Sequence, residues 1–123
     1  MANRKMNLSM IGKETLDLLI EHLDSERPFA IKLALSKGLA NANGAVSPTL
    51  DYSKGKWTIP DNIIRENDYL LFKHLIINEI GHQLSDDEID KHMILFIEYG
   101  LQIIQKEIDE LTSLEDYLIK ILN

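Results

Sequence analysis

The 123-residue chain contains no cysteine, which excludes disulfides, thiolate zinc sites and thiol nucleophiles. No stretch approaches the ~18 consecutive apolar residues that a spanning helix requires. The opening Met1-Ala2-Asn3-Arg4-Lys5 lacks the apolar core of a signal peptide, so a cytoplasmic location is expected. Internal repeats, low-complexity tracts and linkers are also missing. Positive charge is scarce, with 13 Lys/Arg against 20 Asp/Glu and a net charge of −7.

That deficit is unevenly distributed. Residues 1–60 hold eight basic and six acidic side chains, for +2, whereas residues 61–123 hold five and fourteen, for −9. A mildly basic front and a strongly acidic back still allow one face to meet phosphates. Net charge alone therefore neither establishes nor excludes nucleic-acid binding.

With 45% apolar residues, the chain is long enough for one domain with a single hydrophobic core. The periodicities predict a mainly α fold of about five helices, with a short N-terminal extended segment and a hairpin-like insertion. Over residues 5–11, apolar Met6, Leu8 and Met10 alternate with polar neighbours, the period of a short strand. Leu16, Leu19, Ile20 and Leu23 then predict a helix over 13–24. Ser25 is the expected N-cap of a second helix, with Pro28 in its first turn, ending between Gly38 and Gly44. Leu50 and Tyr52, then Trp57 and Ile59, alternate about Ser53-Lys54-Gly55-Lys56 and predict the hairpin around residues 46–59, bracketed by Pro48 and Pro60. The bland alternative is an irregular connector with Trp57 filling a gap in the core. A third helix begins at Asn67 or Asp68 and ends at Gly81.

Ser85-Asp86-Asp87-Glu88 is a capping box before a long helix to Leu111. Thr112-Ser113-Leu114-Glu115 repeats that signature before a terminal helix. Between residues 89 and 108 the apolar positions exceed one stripe, so that segment must be covered on several sides by its own domain or by another copy.

Catalytic and metal motifs are weak. Glu79-Ile80-Gly81-His82 has the Glu-x-x-His spacing of helical di-iron sites, but such sites need two copies and further carboxylates. His82 and His92 flank Asp86, Asp87, Glu88 and Asp90, which read better as a helix end, a polar turn and a cap. No Gly-x-Ser-x-Gly, His-Glu-x-x-His or phosphate-binding loop is present. The expectation is a non-enzyme that needs neither metal nor cofactor. The candidate nucleic-acid-binding residues are Arg4, Lys5, Lys13, Lys32, Lys37, Lys54 and Lys56. Singly each is an ordinary surface charge; pooled across copies, they would contact backbone phosphates with little sequence preference.

Several segments resemble the DndE family, the small subunit of the bacterial DNA phosphorothioation (DNA sulfur modification) system. They are Ser9-Met10-Ile11-Gly12-Lys13-Glu14-Thr15-Leu16, the helix from Phe29 to Leu39, Tyr52-Ser53-Lys54-Gly55-Lys56-Trp57, and Ile97-Glu98-Tyr99-Gly100-Leu101. The resemblance implies a single compact helical domain over 1–123 that forms a homotetramer and binds duplex DNA, with a preference for nicks. It also implies work beside the other subunits of the phosphorothioation complex. Two rival readings remain open. Strand, helix, helix over 5–40 is the order of ribbon-helix-helix regulators, with Lys5, Asn7 and Ser9 facing the bases. A purely structural adaptor would instead use the acidic half to hold a basic protein.

Overall fold

Two glycines set the architecture. The computed structural model describes residues 6–60 and 63–122 in the order β1 (Asn7–Ser9), α1 (Met10–Leu23), α2 (Arg27–Asn41), β2 (Lys56–Thr58), α3 (Glu66–Ile80) and α4 (Asp86–Leu122). Helices α2 and α4 cross backbone to backbone at Gly38 and Gly100. A Cβ on Gly38 would overlap the Phe96 carbonyl, and one on Gly100 would overlap the Ala34 carbonyl. Around this crossing lies the core: Ala30, Ile31, Ala34 and Leu35 from α2 meet Ile89, Met93, Phe96, Ile97 and Leu101 from α4. Leu8, Leu16 and Leu19 close it on one side, and Tyr69, Phe72 and Ile76 of α3 close it on another.

Among the described residues the fold is mainly α, with four helices rather than five. The fifth is the second half of α4. Thr112 does not cap a new helix, because its hydroxyl donates to the Ile108 carbonyl at 3.0 Å and the ladder runs on. At the start of α4 the capping box is real. Ser85 N–H donates to Glu88 Oε1 at 3.0 Å and Glu88 N–H donates to Ser85 Oγ at 3.3 Å. These Ser85 hydrogen bonds hold the Glu88 carboxyl below its ordinary value.

Ser25 does not cap α2. Asp24 turns left-handed (φ 48°) at the end of α1, and Ser25 N–H closes that helix on the Ile20 carbonyl at 3.2 Å. Glu26 therefore takes the N-cap position without a side-chain bond, and Pro28 falls in the first turn. The segment 46–59 is not a self-contained hairpin. Only Lys56–Thr58 is strand, and it pairs antiparallel with β1, Leu8 opposite Trp57. Gly55, at φ 103°, makes the turn that delivers it.

Strand β1 passes into α1 without a loop, and a buried carboxylate fixes the junction. Ser9 N–H donates to Glu98 Oε1 at 2.7 Å and Ser9 Oγ donates to Oε2 at 3.1 Å, while the same Oγ caps α1 by accepting from Gly12 N–H at 3.0 Å. A Cβ on Gly12 would sit 2.8 Å from Glu98 Oε2, so a larger residue there would push the carboxylate off its Ser9 contacts. Glu98 is 2% exposed. Desolvation raises its pKa above the ordinary 4.5, against the opposing pull of the Ser9 hydrogen bonds.

A group whose folded pKa exceeds its unfolded one binds more protons in the native state, so it lowers stability as pH rises through that window. Glu98→Gln keeps the shape, and Ser9 Oγ has a lone pair left to accept from the amide. The expected result is that wild type loses stability relative to E98Q as pH climbs from the ordinary glutamate range. Urea midpoints across pH measure it, and parallel curves would refute it.

Candidate nucleic-acid interface

Trp57 brings two cations from different helices to one ring. It lies in β2, half-buried against the core. Lys13 Nζ of α1 lies 5.2 Å from its ring centroid, and the Arg27 guanidinium at the start of α2 lies 5.1 Å away. Both are within cation–π range. Lys54 and Lys56 are exposed in the segment leading into and forming β2. Among the described residues, Arg27, Lys54 and Lys56 form no ion pair. Two carboxylates temper the site. Lys13 is held by Asp17 at 2.6 Å. Asp51 is kept acidic by hydrogen bonds from Ser53 first and by the Lys54 charge last.

The remaining sequence candidates are used elsewhere. Lys32 reaches Asp68 of α3 at 3.1 Å, and Lys37 reaches Glu107 of α4 at 2.9 Å. These pairs tie α2 to its neighbours; of the sequence candidates, Lys13 meets the Trp57 ring, Lys32 and Lys37 are held by carboxylates, and Lys54 and Lys56 adjoin Trp57 along the chain, with Lys56 on the opposite face of β2. Arg4 and Lys5 lie outside the described residues. Arg27 is the cation that sequence reasoning missed. Its signal was available: it sits one residue before Pro28 at a helix start, but only the fold brings that turn to Trp57.

The ribbon geometry also bears on the regulator reading. The pairing edge of β1 is taken by β2, with Ile59 N–H donating to the Met6 carbonyl at 2.8 Å. On the other edge Ser9 bonds Glu98, and Tyr52 Oη donates to the Asn7 carbonyl at 3.2 Å. Ser9 is 3% exposed and faces the interior, not a groove. Pairing β1 with a second copy of itself would require breaking these contacts.

The acidic motifs have local partners. Glu79 Oε2 accepts from Gly44 N–H at 2.8 Å and so anchors the loop after α2, and His82 Nδ1 lies 3.0 Å from the Gln83 carbonyl. No helix of the described residues is long and apolar enough to cross a membrane. No family model, curated protein or solved structure matches the chain.

Proposed function

We propose that this chain is a non-catalytic DNA-binding accessory subunit of the DNA phosphorothioation type, which grips duplex DNA, nicked duplex above all, by its backbone and works as a homo-oligomer beside other subunits. The observation that carries the reading is the Trp57 cluster: two cations on one indole, with Lys54 and Lys56 exposed in the same segment and, among the described residues, free of ion pairs. A tryptophan half-buried against the core stiffens the cationic groups around it, which lowers the ordering entropy of phosphate contact. The motif resemblance supplies the reaction context, and on this reading the acidic half of the chain would face away from the DNA.

Anisotropy titrations with nicked, intact and single-stranded DNA test it. For about four neutralised phosphates, log affinity should fall with log salt at a slope of roughly −3.6 per copy. Replacing Lys54 and Lys56 together by Glu should weaken every duplex about equally and flatten that slope by about 2. Arg27→Glu should act in the same direction. Lys37→Ala, which removes a cation already bound to Glu107, should leave affinity nearly unchanged. An unaltered slope in the Lys54/Lys56 variant would remove the β2 segment from the site, and unaltered binding in Arg27→Glu would remove the Trp57 face. Tight, sequence-specific binding would favour the regulator, and absence of any binding the acidic adaptor.

A further inference from the structure

The three buried polar side chains among the described residues, Ser9, Thr15 and Glu98, all line one cavity of about 370 Å³. It opens between the first turns of α1, the segment at Thr49 and Asp51, and the middle of α4. Convergent polar groups in a partly apolar recess are the ordinary signature of a binding site. The chemistry of this one is one-sided.

Glu98 is buried without a cation, for its hydrogen-bond donors are the neutral N–H and hydroxyl of Ser9. Each of its oxygens keeps accepting capacity. Asp51 adds a second carboxylate at the rim, and Lys54 beside it is the cation that influences it. Gln105 presents an amide already engaged by Thr15 Oγ1 at 3.1 Å. Tyr52, whose hydroxyl is kept protonated to higher pH by desolvation and then by the Glu98 charge, is the other titratable group influenced by Glu98. Ile11 and Leu101 supply apolar wall.

We propose that this cavity binds a guanidinium group carried on an aliphatic stem. A guanidinium is the most weakly hydrated biological cation, and its fork of five N–H donors suits a carboxylate with spare lone pairs and nearby amide oxygens. Ile11 and Leu101 would pack against the stem, as apolar surface commonly does with arginine methylenes. Leaving a carboxylate buried without a counter-charge is costly, and an incoming cation removes that penalty. Burial, which raises the Glu98 pKa, makes the site pH-gated. Affinity should rise as pH is raised through the Glu98 titration, because only the ionised form pairs. The cavity shares Asp51, and the Lys54 charge beside it, with the cationic surface, but this proposal does not rest on the DNA reading.

Two sources of the group are separable. Agmatine represents a free small cation and a blocked arginine amide represents a side chain from a protein partner; citrulline amide is the neutral isostere of the latter. Amide chemical shifts of the full chain at Gly12 and Gln105 provide the readout. Saturable shifts with agmatine or the arginine amide, and none with citrulline amide, are expected at millimolar concentrations. The tighter of the two cations assigns the source. E98Q should weaken binding at least tenfold. Gln102→Trp, an exposed α4 position at the mouth, should block entry without touching the core. Equal shifts from citrulline amide, unchanged affinity in both variants, or no saturable shift with either cation would overturn the proposal.

Discussion

Gly100→Ala is expected to lower the thermal midpoint by roughly 10 °C or more, equivalent to about 3 kcal/mol at about 4 °C per kcal/mol for a chain of this size. Two effects compete. In an open helix, Gly to Ala stabilises by about 1 kcal/mol through backbone entropy. Here the added methyl meets main chain: the Ala34 carbonyl, with the Gly38 nitrogen 2.9 Å away. Backbone on a packed helix cannot rotate aside as a side chain does, so the helices must separate along their whole contact and loosen the core on both sides of it. Overpacking typically costs about 1–3 kcal/mol where side chains yield, and this site sits at or above that upper end. Gly38→Ala should behave alike, since its methyl would overlap the Phe96 carbonyl with the carbonyl carbon at 2.9 Å. The two sites face each other, so the double variant should lose less than the sum of the single losses once the helices have parted. Calorimetry decides it. A midpoint at or above wild type would show that α2 and α4 can move apart at no cost.

Those glycines show how far the sequence carries the fold. Both stand in segments that the helical period marks clearly, and the helices formed where expected. What the period cannot convey is that two glycines 62 positions apart touch. A small residue inside a helix reads the same whether it faces solvent or a neighbouring backbone. The strand at 7–9 was legible from alternation, but its partner was not. Trp57 carries the same alternation toward a local hairpin as toward a distant strand, and only the β1–α1 junction, clamped by Glu98, decides. The missing break in α4 has a different origin, because a Thr-Ser-x-Glu signature serves either as a cap or as a solvated stretch of continuous helix. At the candidate site, charge type was legible and pairing was not. Lys32 and Lys37 look no different in sequence from Lys54 and Lys56, yet the first two meet carboxylates of α3 and α4. Glu98 lay inside a segment read for its apolar and glycine spacing, and nothing local marks it as buried.

The second half of α4 should drive self-association, and Leu114→Glu with Leu118→Glu should abolish it. The sequence placed the need for cover at 89–108, but Ile89, Met93, Phe96, Ile97 and Leu101 are already buried within one copy. The uncovered surface lies further on. Leu111, Leu114, Leu118 and Ile121 are 60%, 52%, 46% and 59% exposed, and their spacing of three, four and three residues is the repeat of a helix-to-helix seam. Covering the remaining half of four such side chains is worth roughly 4 kcal/mol per copy. For a pair, the total is comparable with the lower range of the association cost of about 4–15 kcal/mol. Tyr117, Ile119 and Leu122, also exposed, lie off that seam, and a helix apolar on several sides is best covered by more than one neighbour. The expected solution mass is therefore a multiple of 14.1 kDa, falling on dilution. Asp109, Glu110, Glu115 and Asp116 on the same stretch repel their copies, so salt should strengthen this association while it weakens the proposed phosphate contacts. The paired Glu substitutions touch no core residue; they should leave the thermal midpoint of the isolated fold in place and reduce the mass to one chain. Light scattering against concentration and salt measures both trends. A wild-type chain that stays monomeric at high concentration and high salt would leave the leucines of α4 to a different protein, and would remove the pooling of Trp57 surfaces from several copies onto one DNA.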